Sequence, residues 1–284
     1  MHAEIDKNKI KKGLYIVSTP IGNLKDITLR AIEILRTSDF ILCEDTRVSK
    51  KLLNALNIEK KLISNHKFNE KKNIHKLQSI LEKEKIISLI SDSGTPLISD
   101  PGKLLVEYCI KKKINIIPIP GPSSVISSIS IAGFSNNFYF HGFLPEKINQ
   151  IIKDFLYLSK LPCSIIFFIS AKKVFKIEDQ LKKYFLDRKI VICKELTKFY
   201  EEISRYEVKN LNFSNLNLRG EITIVLSQPI LQKKTEIISE SDKIKIKKLL
   251  KKLSVRDTAE LMCNNIKISK SIIYKYCLKI KNEN

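Results

Sequence analysis

From residue 14 onward, short apolar runs alternate with stretches whose apolar positions recur every three or four residues. Residues 14–17 form the first run and predict a strand. Asp26 or Thr28 can cap a following helix that carries Leu29, Ile32 and Leu35 on one face. Residues 40–43 predict a second strand, 50–56 a short helix and 62–64 a short strand. Across 71–84, Ile74, Leu77, Ile80 and Leu81 stand at helical spacing. A buried-type strand at 86–90, a helix at 103–112 and a strand at 114–119 follow. This β-α-β-α rhythm implies a mainly parallel sheet covered by helices, an α/β fold.

The texture changes after a helix at 123–132 and a break at 133–137. Strands are predicted at 138–142, 165–169, 190–193, 200–208 and 221–226, with an amphipathic helix at 150–158. Short turns between several of them favour antiparallel pairing. The expected organisation is a polar tail at 1–12, an N-terminal α/β domain at 13–133 and a C-terminal α/β domain at 134–228. A linker at 229–243 and a helical extension at 244–284 complete it. Helices at 244–253, 255–264 and 270–280 make up that extension. The last two, joined by a short turn, fit a helix-turn-helix or a plain helical hairpin.

The length of 284 residues suits about two domains of roughly 150 residues. A 43% share of hydrophobic residues is enough for a packed core. The net charge of +21 favours a polyanionic partner. Its 44 Lys against 7 Arg also fit drift toward A/T-rich codons, because specific phosphate or guanine contacts favour Arg. The six cysteines form no CxxC pair and most sit in apolar surroundings, so they read as reduced core residues of a cytoplasmic protein. The polar N-terminus resembles no secretory signal, and no apolar run approaches the ~20 residues of a membrane span.

Three loops follow strands, where ligands of open α/β sheets bind. The first, 18–24, includes Pro20 and Asn23, and Pro and Gly fix its turn. The second runs from Ser91 through Asp92, Ser93, Gly94, Thr95 and Pro96 to Gly102. Gly94 permits close approach to a ligand, and Asp92 offers a carboxylate to a ribose hydroxyl or a cation. Asp100 or Pro101 starts the next helix, whose open N–H groups would favour a ligand carboxylate. The third carries Pro120, Gly121, Ser123 and Ser124. A fourth segment, Glu44, Asp45, Thr46 and Arg47, either faces the same cleft or caps a helix. The sequence lacks a GxGxxG after the first strand, a P-loop and a nucleophile elbow. The histidines show no metal-ligand spacing, so no metal is expected.

Together, Ser18–Leu24, Glu44–Arg47, Ser91–Pro96 with Asp100–Gly102, and Pro120–Ser123 resemble the tetrapyrrole methylase superfamily. Within it they are most similar to the branch that methylates a cytidine ribose 2′-hydroxyl in 16S ribosomal RNA. Gly142–Pro145, Glu195–Lys198 and Gly220–Ile222 continue the match, so that it covers about residues 13–227. The resemblance implies two α/β domains with S-adenosylmethionine in the cleft between them, usually as a homodimer. It implies cofactor contacts from Pro20, from Ser91 to Pro96, from Pro120, Gly121, Ser123 and Ser124, and from Phe168, Leu196, Gly220 and Ile222. The implied partner is 16S ribosomal RNA or the small ribosomal subunit, with Asn23, Arg47, Lys248 and Lys270 facing it. The helical extension also resembles that of the family. Where the family has an acid and a His, this chain has Ile169 and Lys172.

Methyl transfer from a sulfonium is an in-line displacement whose demands are alignment, exclusion of water and a proton acceptor. Glu44, Asp45 and Asp92 are the candidate bases. Two rival functions remain: a small-molecule methyltransferase of the tetrapyrrole type, and a non-catalytic RNA-binding or assembly factor.

Overall fold

The computed structural model describes residues 10–81, 85–135, 137–230, 238–265 and 268–282. Most of the polar tail lies outside them. The chain divides into two compact units, Met1–Pro229 and Ile230–Asn284.

In the first unit, β1 (Gly13–Val17), β2 (Phe40–Cys43), β3 (Leu62–Ser64), β4 (Ile86–Leu89) and β5 (Ile116–Ile119) form one sheet in the order β3-β2-β4-β1-β5. Every pairing is parallel. Crossover helices α1 (Leu29–Thr37), α2 (Thr46–Ala55), α3 (Glu70–Leu81) and α4 (Lys103–Lys111) make this possible. Alternate strand positions feed two apolar layers. Val17, Ile41 and Ile86 pack with Leu35, while Leu14, Leu42 and Ile87 pack with Leu77 and Leu105. Thr28 caps α1 by accepting the Ala31 N–H at 3.1 Å, and Asp26 ends a separate 3-10 turn.

Helix α5 (Ser124–Ala132), capped by Ser123, links the two sheets. Its Val125 and Ala132 share a core with Ile166, Val191 and Val225 of the second sheet. That sheet comprises β6 (Phe138–Phe143), β7 (Ser164–Ser170), β8 (Lys189–Lys194), β9 (Glu202–Glu207) and β10 (Glu221–Leu226), ordered β6-β7-β10-β8-β9. Only β6 and β7 run parallel, joined through α6 (Ile148–Leu158), and the other pairs are antiparallel. Helices α7 (Ala171–Val174) and α8 (Glu178–Phe185) lie in a stretch the sequence pattern left unassigned. Val174, Ile177, Leu181 and Phe185 are fully buried there at helical spacing, among lysines that mask the periodicity. Arg188, 1% exposed, donates to the carbonyls of Ser159, Leu161, Cys163 and Ser227 and ties the ends of this layer together.

Several boundaries move. Helix α2 starts at Thr46 rather than 50, because Asp45 is its cap. Helix α4 starts at Lys103, not at Asp100 or Pro101. Its first N–H groups are not open to a ligand: the buried Glu70 carboxylate accepts Leu104 N at 2.9 Å and Leu105 N at 3.3 Å.

The second unit contains α9 (Glu240–Leu250), α10 (Val255–Asn265) and α11 (Lys270–Asn282). Helix α9 begins four residues before the expected 244, with Ser239 accepting the Asp242 N–H. Ile246, Ala259, Met262, Ile273 and Cys277 draw all three helices into one core. Cys43, Cys109, Cys193 and Cys277 are buried free thiols, and burial pushes Cys109 up to about 11 and Cys193 up to about 12. No helix among the described residues is long and apolar enough to cross a membrane.

Candidate active site

Strands β4, β1 and β5 are neighbours, so the loops leaving their carboxyl ends must meet. They interlock. Thr19 and Gly94 exchange backbone hydrogen bonds at 2.9 and 3.1 Å. The Thr95 hydroxyl lies 3.0 Å from that of Ser18 and donates to the Pro122 carbonyl at 3.1 Å. Gly121 stands so close to Ser18 that an added Cβ would lie 2.9 Å from the Ser18 Cβ. Gly94 adopts φ +81°, open to glycine and strained for other residues. The loops carrying Asp92 and Gly121 therefore form one wall.

The opposite wall comes from the second sheet. Gly22 packs against Leu196, Thr197 and Lys198, and Thr197 Oγ1 accepts the Asn23 N–H at 3.1 Å. Between the walls lies a cavity of about 290 Å³, at the lower edge of the roughly 300–1,000 Å³ common for small-molecule sites. Apolar side chains of Ile21, Val125, Phe143, Phe168, Leu196 and Ile222 line much of it. Non-glycine residues at positive φ cluster in its loops: Leu97 (72°), Ser99 (75°), Glu195 (50°) and Thr197 (63°). Such strain is held in place by surrounding structure and concentrates at functional sites.

Of the residues expected to touch the cofactor, Asp92, Ser93, Gly94, Thr95, Ser123, Ser124, Phe168, Leu196, Gly220 and Ile222 line this cavity. Pro20, Ser91, Pro96, Pro120 and Gly121 stand outside its lining. Ser91 is buried, and its hydroxyl donates to the carbonyls of Ser93 and Gly94, so it shapes the loop. The lining also includes Ile98, Asp100, Phe143, Ser170, Glu221 and Thr223, which sequence reasoning had not assigned to it. Phe143 and Glu221 lay inside quoted segments, but only the packing of β6 and β10 against the first sheet's loops reveals their position. Ile169, at the departure from the family pattern, is buried and faces the cavity, whereas Lys172 is exposed.

The charges in this cavity run against those of the chain. Its ionisable lining residues are Asp92, Asp100 and Glu221, with no Lys, Arg or His. Burial raises Asp100 to about 6, helped by the nearby Glu44 charge and opposed by a Ser91 hydrogen bond. Burial also lifts Asp92, and burial with the Asp92 charge lifts Glu44. Asp92 Oδ1 accepts the Asp45 N–H at 3.1 Å, which fixes the β2 loop against the β4 loop.

Asp45 is of a different kind. It caps α2 through the Arg47 N–H at 2.8 Å and pairs with the Arg47 guanidinium at 2.6 Å. These bonds hold its carboxyl down at about 2. At neutral pH that leaves it a weak base, and it is not part of the cavity lining. Glu44 also stands outside the lining and acts on the site through its field. Arg47 is exposed but already engaged by Asp45. Lys270 is exposed and paired with Glu260 at 2.8 Å, while Lys248 is exposed on α9. Among the described residues no group of His, Cys, Asp and Glu has a metal-holding arrangement.

The family model for Tetrapyrrole (Corrin/Porphyrin) Methylases matches residues 13–212. The chain is 46% identical over 218 residues to the Ribosomal RNA small subunit methyltransferase I of Mesomycoplasma conjunctivae, covering 76% of this chain and 91% of that one. It is 33% identical over 275 residues to the protein of the same name from Neisseria meningitidis serogroup B, covering 95% and 94%. Among solved structures, a cobalt precorrin-4 methyltransferase of cobalamin biosynthesis superposes with a TM-score of 0.57 at 18% identity, covering 75% of this chain and 94% of that one. Uroporphyrin-III C-methyltransferase from Thermus thermophilus, complexed with S-adenosylhomocysteine, gives 0.54 at 14% identity, covering 76% and 97%. The sheet order, the interlocked loops of β1, β4 and β5, and these matches agree: the chain belongs to the tetrapyrrole (corrin/porphyrin) methylase family.

Proposed function

We propose that this protein transfers the methyl group of S-adenosylmethionine to a ribose 2′-hydroxyl of a cytidine in 16S ribosomal RNA. It works in the cytoplasm, as a homodimer, on RNA or on the small ribosomal subunit. The observation that carries this reading is the reversal of charge: a chain of net charge +21 keeps the apolar-walled cavity between its two sheets free of cations and lines it with three carboxyls. S-adenosylmethionine fits that donor set, because its sulfonium and ammonium outnumber its carboxylate. A phosphate-bearing cofactor would be repelled. The many lysines outside the site suit the RNA. A tetrapyrrole would bring several carboxylates of its own and gain nothing from acidic walls. The relatives named for ribosomal RNA methylation favour the same choice.

When bound, the cofactor supplies a methyl already activated for displacement. The chain must then place the ribose oxygen in line and accept its proton. Alignment is the task of the interlocked loops, whose strained residues and mutual hydrogen bonds leave little freedom. Pre-paid alignment of this kind supplies on the order of 7–11 kcal/mol in favourable cases. Apolar groups such as Phe168, Leu196 and Ile222 exclude water from the reacting atoms. Asp92 is the proton acceptor we assign. It lines the cavity, its Oδ1 is steadied by the Asp45 N–H, and its Oδ2 has no partner among the described residues. Burial raises its pKa, which strengthens it as a base.

Calorimetry with S-adenosylmethionine tests the cofactor, and absence of binding by folded protein would reject the methyltransferase reading. A map of 2′-O-methylation in 16S RNA from a deletion strain tests the substrate. An unchanged map would remove the ribosomal assignment.

A further inference from the structure

The helical unit carries a groove of its own, about 390 Å³ in volume, where the ends of α9 and α11 meet the start of α10. Its rim is Lys247, Lys251 and Lys281, its floor Leu250, Leu253, Val255 and Ile280. No acidic residue lines it.

Lysine is abundant throughout this chain, so three of them prove little by number. Their convergence on one apolar floor is more informative. In the same unit Lys243 pairs with Glu240, Lys245 with Asp242 and Lys270 with Glu260. Lys247, Lys251 and Lys281 have no ion-pair partner among the described residues. Each sits in or next to the last turn of its helix, where a cation complements the dipole. That effect explains lysine at one helix end. It does not bring lysines from two helices to one rim over an apolar floor.

We infer that this groove takes the phosphodiester backbone of the substrate RNA, with phosphates on the three ammonium groups and sugar edges on the leucine and isoleucine floor. Unpaired lysines are the ones that release counterions when phosphates arrive. The groove lacks guanidinium forks and amide side chains, and lysine acts as a point charge on phosphate, so its binding is assigned to the backbone rather than to a base sequence. The site lies apart from Lys270, whose charge Glu260 already answers. The inference rests on the RNA-methyltransferase reading for the identity of the nucleic acid.

The test is the salt dependence of binding of the full-length protein to a 16S RNA fragment. The variant Lys247→Ala/Lys251→Ala/Lys281→Ala is compared with an equal-charge control, Lys111→Ala/Lys153→Ala/Lys160→Ala. Each phosphate contact contributes about 0.7–0.9 to the slope of log K against log salt. The groove variant is expected to lose roughly two to three units of slope and the control less than one. In methylation assays the RNA KM rises about tenfold or more while kcat and the S-adenosylmethionine Kd stay within about twofold. A wild-type slope in the groove variant overturns the inference. So does a variant that loses affinity for the assembled subunit yet keeps the wild-type slope on naked RNA, because the groove would then hold a ribosomal protein. If the wild-type chain binds RNA through these lysines but methylates none, the functional reading fails and the groove assignment stands.

Discussion

Asp100 ties stability to the chemistry of the site. It lines the cavity, and burial with the neighbouring Glu44 charge raises its carboxyl from 3.8 to about 6. In the unfolded chain it titrates near the ordinary aspartate value. The folded state therefore favours the protonated form. The stability this confers is complete below about pH 4 and is lost as pH rises through about 6. At pH 8 the folded protein holds an ionised carboxylate in a place that resists it. About two pKa units correspond to roughly 3 kcal/mol, and access of water through the cavity mouth reduces this to on the order of 1–2 kcal/mol. Asp100→Asn preserves size and a hydrogen-bonding partner for Ser91 while removing the charge. Thermal melts at pH 8 should show the variant more stable by about 2–6 °C, and melts at pH 4 should show no difference. The same variant should bind S-adenosylmethionine about tenfold more weakly, because the site loses one of three negative charges. Equal melting temperatures at pH 8, or a gain that persists unchanged at pH 4, would refute the reasoning.

Other outcomes follow from the same structure. Asp92→Asn should lower kcat by 10²-fold or more with the fold intact, read in single-turnover methylation, since it removes the proposed proton acceptor. Arg188→Met should cost more than ~4 kcal/mol in urea unfolding, because it strands the buried carbonyls that the guanidinium serves. Gly220→Ala should destabilise by about 1–3 kcal/mol and weaken cofactor binding. Its φ of +81° strains any side chain, and the new Cβ would collide with the Glu195 carboxylate that accepts the Glu221 N–H. Glu70→Ala should cost about 1–2 kcal/mol, measured by denaturant midpoint, by uncapping α4.

Much of the fold was legible from one dimension. Period-two and continuous apolar runs mark β1 to β5 within two residues: β1, β2 and β4 are buried on both faces and tolerate little else, while β3 and β5, at the two sheet edges, are only partly buried and still keep apolar runs. Thr28 and Ser123 mark helix starts because capping is local. The loop 91–102 stands out in the sequence by its density of Gly, Pro, Ser and Asp, and six of its residues line the cavity. Helix α8 was missed because its lysines break the apolar pattern without leaving its buried stripe.

What the tertiary structure alone decided are relations between distant groups. Asp45 looks like a base in the sequence and is held near 2 by Arg47, while Asp100 looks like a helix start and is raised to about 6 in the cavity wall. Glu70, an ordinary helix residue in the sequence, caps α4 from α3. Phe143 and Glu221 enter the site only because a second sheet brings them there. Secondary structure is written in short-range sterics and hydrophobic period, which a window of a dozen residues contains. Charge environment depends on burial and on neighbours remote along the chain, and those exist only once the sheets have packed.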